Sequence, residues 1–475
     1  MKILLIHPPD SRVSIAPGRF EPLALEVLAA CVPGHDVRII DLRIDNLREL
    51  DSQLTSFRPA VAGITANNTI HVNSAKMVIN HILRRHADVS VVVGGFHATM
   101  MPGDFRIPGV HAIFLGWAEK SFPAYITALE KGKKLDHIHG LEILKNGETL
   151  FHNKAVWDLK PSDIPFPRRD LIMKYYRRYR SDMGFRTALV NTTRGCPHRC
   201  SFCGVWQVSE GHFLLRDPED VFKEIADLPA DVHRVFFADD NTFINTRNAN
   251  SLCELILDAG IRKKYSGYCR SDTIYHHPEL MRAWRKAGLD NLCVGFEGTE
   301  SDRLNDLNKK NSEENNARAA MILNEIGIPF RPHFLIEPSF MKEDFKRIIH
   351  YVEQHKLKSP IFPIMTPIPG TQYYSEVKEK IILDYDYFDF AHSTTATRLA
   401  PKEFYQLWID LYTRSYPVGK NLKLCMMNKL SKVIGDKNRH IKYSYLNLLN
   451  LFILRLFGVF LRVKIIRHSQ YLAGL

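Results

Sequence analysis

Twice along this chain, short runs of aliphatic residues alternate with segments of helix length. KILLIHPP, EPLALEVLAACV, VRIIDLR, AVAGIT, AKMVINHILRRH and VSVVVGG fill the first part, to about residue 155. Strands built of continuous Val, Ile and Leu must be apolar on both faces, and helix-length segments between them supply the cover. The pattern predicts a parallel, doubly wound, Rossmann-like sheet over 1–155. Ligands of such sheets sit beyond the carboxyl ends of the strands, which directs attention to the loops HPPD, TANNT and GGFHAT. Gly94 and Gly95 follow the strand VVV directly and let backbone approach a bound molecule; a plain tight turn is the alternative.

Residues 156–185 read as a linker. WDLKPSDIPFPRRD holds three prolines with mixed charge, and the basic, aromatic KYYRRYR follows. The alternation then resumes over 186–380 with strands near TALVNTTR, VFFADD, GYCRSD, NLCVGFEG, PFRPHFLI and SPIFPIMTP. Six strand-helix units predict a (β/α)6-type partial or full barrel with functional groups at the strand ends. The remainder, 381–475, reads as a helical C-terminal region.

The chain of 475 residues carries eight cysteines and a formal charge of +12. Its size suggests more than one core, and the start, MKILLIHPPD, runs too soon into Pro8 and Pro9 for a signal peptide. Three of the cysteines crowd into TTRGCPHRCSFC as Cys196, Cys200 and Cys203, a C-x3-C-x2-C spacing. Three thiolates so spaced wrap one soft metal centre; zinc and a packed or redox loop stay open, although His198 is poorly placed as a fourth zinc ligand. A three-thiolate iron-sulfur cluster with one open iron fits the spacing best.

That motif, with Phe202 before its last cysteine and placed after the first barrel strand, resembles the signature of the radical S-adenosylmethionine (SAM) superfamily. The resemblance implies a 4Fe-4S cluster on Cys196, Cys200 and Cys203, with SAM bound to the open iron and cleaved to a 5′-deoxyadenosyl radical. It also implies SAM contacts from Phe202, Asp239, Asp240, Arg270, Ser271, Glu297, Pro369 and Gly370. Each of the charged groups has a plainer role available: a turn cap for Asp239 or Asp240, an ion pair for Arg270, a loop carboxylate for Glu297. No catalytic acid or base is assigned.

A Rossmann-like domain ahead of such a barrel resembles the cobalamin-binding branch of the superfamily. The resemblance implies cobalamin contacts from Thr65, Ala66, Asn67, Gly94, Gly95, His97 and Ala98. The D-x-H-x-x-G motif that supplies a lower histidine ligand in the common cobalamin module is absent, so His97 is either that ligand or a hydrogen-bonding turn residue. GWAEKS, residues 116–121, stands where relatives show an acidic glycine-rich segment, and Trp117 fills space there.

From Lys420 onward eleven Lys and Arg residues face Asp436 alone among acids, and LLNLFILRLFGVFLRVKIIRH interleaves them with large aliphatics. Charge interrupts the apolar runs too often for a transmembrane helix, and the pattern predicts an interfacial helix drawn to anionic lipid instead of nucleic-acid binding. DFAHSTTATRLAPKEFYQLWIDLYTRSY resembles the C-terminal segment of lipid-directed members, hopanoid methylases included. The expectation is a cytoplasmic enzyme resting on the inner face of the membrane. It methylates an unactivated carbon of a lipid or isoprenoid-like substrate through methylcobalamin, fed by an external donor of the flavodoxin or ferredoxin type. A non-methylating radical enzyme for cyclisation or carbon-carbon joining, or a cobalamin or metal sensor without turnover, are the alternatives.

Overall fold

A computed structural model describes residues 1–416 apart from 12, 14–18, 182 and 183. The basic, aliphatic tail from Lys420 lies outside the described residues. No helix among those described is long and apolar enough to cross a membrane.

The first sheet holds β1 (Lys2–His7), β2 (Asp36–Asp41), β3 (Val61–Thr65), β4 (Ser90–Gly94) and β5 (Val110–Phe114), all parallel. Their order is β2-β1-β3-β4-β5. The aliphatic runs are explained by two cores, one on each face. Within β1, Leu4 and Ile6 enter the core under the helices Leu47–Phe57 and Val72–Arg85. Ile3 and Leu5 enter the core under Leu23–Ala30 and Ser121–Glu130. Because the winding reverses between β1 and β3, the loops after them part and open a crevice at the carboxyl edge. An antiparallel hairpin, β6 (Leu141–Lys145) and β7 (Glu148–Asn153), extends the sheet beyond β5. Its two-residue turn is Asn146-Gly147, both at positive φ, as a type I′ turn requires.

The proline-rich stretch that follows is docked, not free. A 3-10 stretch, Arg169–Arg178, lies against the first sheet, where Ile172, Tyr175 and Tyr179 complete a core. The Tyr179 hydroxyl donates to Asp41 Oδ2 at 3.0 Å.

The second sheet starts with β8 (Ala188–Val190), beside a separate small ladder of β9 (Thr193–Arg194) with β10 (Leu214–Leu215). It continues through β11 (Arg234–Phe237), β12 (Lys264–Arg270), β13 (Leu289–Glu297) and β14 (Phe330–Phe334). The order is β8-β11-β12-β13-β14, wholly parallel, with helices outside. The sixth expected strand is reduced to bridges from Ile361 to His333 and from Ile364 to Ile336. Pro360 and Pro363 remove the donors a regular ladder needs. Trp284 anchors the helix layer, its ring edge-on to Phe237, Phe243 and Tyr265 at 5.4, 5.7 and 5.6 Å. The fold is therefore a Rossmann-like domain followed by a partial (β/α) barrel and, in its described part, the C-terminal helix Pro401–Ser415.

Candidate active site

The cysteine loop leaves β9 through Gly195, whose φ of +74° suits glycine and whose position would drive a Cβ into the His212 carbonyl. Three hydrogen bonds then pin the loop: the Trp206 indole N–H to the Cys200 carbonyl at 2.9 Å, Asn308 Nδ2 to the Arg199 carbonyl at 2.6 Å, and the Ser201 amide to the Leu307 carbonyl at 3.0 Å. Cys196, Cys200 and Cys203 are all free thiols. Burial pushes each thiol up, Cys203 to about 12, while Lys309 and Arg270 pull Cys200 down. Cys200, buried beside two cations, suits a group that takes it as a thiolate. No three His, Cys, Asp or Glu side chains among the described residues converge as one metal ion needs. Thiolates on a cluster each bind a different iron and stand farther apart than ligands of a single ion.

The expected SAM residues do not all face open space. Asp240 lines a cavity of about 2620 Å³, together with Phe202 and Cys203. Asp239 is turned into the protein. Its Oδ1 accepts the Thr192 and Thr193 amides at 2.7 and 2.9 Å and its Oδ2 the Thr192 hydroxyl at 2.7 Å, so it caps the turn between β8 and β9. Arg270 is held by Asp272 at 2.7–3.1 Å and by the Lys309 carbonyl at 2.9 Å. Ser271 is buried, donating to Asn316 at 2.5 Å and accepting from Asn311 at 2.7 Å. Glu297, at a φ of +64°, pairs with the buried Lys309 at 2.8 Å above Gly295, where a Cβ would strike the Glu297 carboxylate. Pro369 is buried, and Gly370, at a φ of +90° that favours glycine, sits against Met100 of the first domain, whose side chain occupies the place a Cβ would take.

The expected cobalamin residues divide in the same way. Thr65, Asn67, Gly94 and Gly95 line the cavity. At Gly95 the φ is +118° and a Cβ would lie 2.8 Å from the Asn67 amide. Ala66 and Ala98 belong to the core beneath. His97 is 0% exposed, with Nδ1 3.1 Å from Thr69 Oγ1 and Nε2 2.9 Å from Asp104 Oδ2. Both ring nitrogens are therefore engaged inside the domain, and the ring does not reach the cavity wall.

Several contacts around the candidate site carry no local signal in the sequence. Phe96, the first residue of the short helix Phe96–Met100 after β4, presses on Gly204 immediately after Cys203, leaving no room for a Cβ there. Arg194, two residues before Cys196, makes an ion pair with Glu119 of the first domain, and both line the cavity. Lys309 was hidden in the polar run LNKKN. Asn241, next to Asp240, is 3% exposed with neither amide atom hydrogen-bonded, an orphan suited to a bound polar group.

Residues 12–126 match the B12 binding domain and residues 190–352 the radical SAM superfamily. The chain therefore carries a B12-binding domain ahead of a radical SAM domain. Among proteins of assigned function it is similar to the hopanoid C-3 methylase of Methylococcus capsulatus, 26% identical over 85% of this chain and 78% of the other. It is also similar to the anaerobic magnesium-protoporphyrin IX monomethyl ester cyclase of Rubrivivax gelatinosus, 24% identical over 82% and 72%. The fold matches the radical SAM methyltransferase TsrM from Kitasatospora setae at a TM-score of 0.67, with 20% identity over 80% of this chain and 74% of that one. It matches the cobalamin-dependent enzyme OxsB at 0.70, with 18% identity over 95% and 72%. The two domains imply a 4Fe-4S cluster, SAM and cobalamin, and the residues fit them: three free thiols, a glycine-floored crevice and one cavity touching both.

Proposed function

We propose that the enzyme transfers a methyl group to an unactivated carbon of a lipid or isoprenoid-like substrate. The observation that carries this reading is the single cavity shared by the crevice residues Thr65, Asn67 and Gly94 and by Phe202, Cys203 and Asp240. When bound, the cluster, SAM and cobalamin supply hydrogen abstraction from carbon and a methyl group that a carbon radical accepts. Such a carbon has no acidic proton and no lone pair, so an ordinary base would not suffice. Cys196, Cys200 and Cys203 hold the cluster. Asp240 orients SAM, and Gly94 and Gly95 let the corrin approach the sheet edge. Phe96 and Trp117 exclude water between the domains. The similarity to a hopanoid methylase supports a lipid substrate. Similarity to a cyclase and to 4′-phospho-dehydrooxetanocin synthase supports, as a second reading, radical chemistry without methylation.

Mass spectrometry after anoxic reconstitution with iron, sulfide, cobalamin, SAM, reductant and a lipid extract separates the two. Matched, substrate-dependent 5′-deoxyadenosine and S-adenosylhomocysteine are expected; 5′-deoxyadenosine alone selects the second reading. Cys200→Ala should lose the cluster and SAM cleavage together, with cobalamin binding retained.

A further inference from the structure

The barrel lumen is hollow and aromatic. Val235, Phe237, Leu292, Val294, Phe296 and Phe334 pack outward under the helices, so the alternate residues of these strands face inward. Among the inward residues a row of rings crosses the sheet. Phe20, from the first domain, meets Phe236 at 5.6 Å, Phe236 meets Tyr268 at 5.5 Å, and Tyr268 meets His333 at 6.3 Å. Tyr268 is 41% exposed although its strand is central, which a filled barrel would not allow.

Phe20, at the end of that row, also lines the large cavity described above, which becomes basic at the amino ends of the strands. Lys264, Arg285, Arg331, Lys356, Lys358 and Arg414 line it there, against Asp290 and Glu353. Asp290 is already taken by Arg234 through bonds of 3.0 and 2.7 Å. Lys264, Lys356, Lys358 and Arg414 make no ion pair among the described residues. Arg285, Lys356, Lys358 and Arg414 are exposed and Lys264 is half-buried, so together they set a positive field at the open end of the cavity, which attracts an anion. From Lys264 to Arg270, along β12, the strand climbs about 20 Å at about 3.3 Å per residue. Tyr416, the last described residue, also lines this mouth, its hydroxyl donating to the Pro360 carbonyl at 2.8 Å.

We infer that the substrate is an anionic amphiphile whose apolar body lies in the aromatic lumen and whose phosphate or carboxylate head is held by the basic mouth. This rests on the lipid reading above and narrows it. It excludes a wholly neutral hydrocarbon as the preferred ligand.

Binding decides it without turnover. Dissociation constants for the reconstituted full chain would be measured with geranylgeranyl diphosphate, palmitate, geranylgeraniol, inorganic diphosphate and vesicles of anionic lipid. Geranylgeranyl diphosphate should bind at least tenfold more tightly than either the alcohol or inorganic diphosphate. The preference over the alcohol should shrink with added salt and fall at least fivefold in Lys264→Ala/Lys358→Ala. Palmitate binding that weakens equally in that variant would assign a carboxylate as an acceptable head. Lys358→Glu, on the exposed rim, serves as a second variant, with unfolding temperature and cluster absorbance checked in each. Equal binding of diphosphate and alcohol, or a preference the variants leave unchanged, overturns the inference. So does vesicle capture lost in the variants while monomeric diphosphate binds undiminished, which would assign the cations to membrane headgroups. If no lipid yields the paired products, the methylation reading falls, whereas the anion preference is read independently of it.

Discussion

His333 shows how a single residue sets a property of the whole lumen. Burial holds its imidazole down at about 4, with Lys309 and Arg331 adding to the shift and Glu297 opposing it. Burial likewise lowers His7, at the crevice, to about 3. A histidine with a depressed folded pKa is neutral in the native state while the unfolded chain takes up a proton below about 6.5. The unfolded state therefore binds more protons, and stability is lost as the pH falls from about 6.5 through 4. Thermal unfolding between pH 7 and 4 should show a falling midpoint in the natural chain and a shallower fall in His333→Gln. Identical slopes would mean that the lumen is wet enough to solvate the ring.

Between elements, the helix Leu23–Ala30 is joined to β8 by a buried polar network. Glu21 accepts the Leu189 amide at 2.7 Å, Arg169 donates to the Leu189 carbonyl at 2.5 Å and to Glu224 at 2.9 Å, and Arg216 donates to Glu224 at 2.6 Å. Glu26 lies beside this network, 0% exposed, with both carboxylate oxygens unpartnered. Burial and the nearby Glu21 push its pKa well above the usual carboxylate value. An unsatisfied buried acid costs about 1–3 kcal/mol. Glu26→Met should therefore raise the unfolding midpoint by a few degrees, read by calorimetry on the reconstituted protein. A lowered midpoint would show that the acid has a partner when the cofactors are bound.

The two sheets act as one enzyme because the carboxyl end of the first faces the carboxyl end of the second. Phe96 on Gly204 seats the cysteine loop against the first domain, with Met100 on Gly370 and Glu119 with Arg194 nearby. Overpacking of this kind costs about 1–3 kcal/mol. Gly204→Val should lower iron content and SAM cleavage together, and Phe96→Ala in the same chain should recover most of both. Failure of that rescue would mean that valine harms the loop itself and not its seat against the first domain.

The sheets, their parallel order and the cysteine motif were legible because aliphatic runs report burial on both faces and three thiols at fixed spacing report one ligand loop. The hairpin at Asn146-Gly147 carried its turn signal locally as well. Which side chains meet open space was not legible, since that depends on what packs above them. Asp239 and Asp240 are neighbours, yet one caps a turn and the other lines the cavity. Lys309 gained a partner in Glu297 from a strand end twelve residues earlier, and Gly204 gained its meaning from Phe96, more than a hundred positions away. Local composition determined which elements form and where thiolates gather. Only the tertiary structure, by setting two strand edges face to face, decided which polar groups are spent on the fold and which are left for ligands.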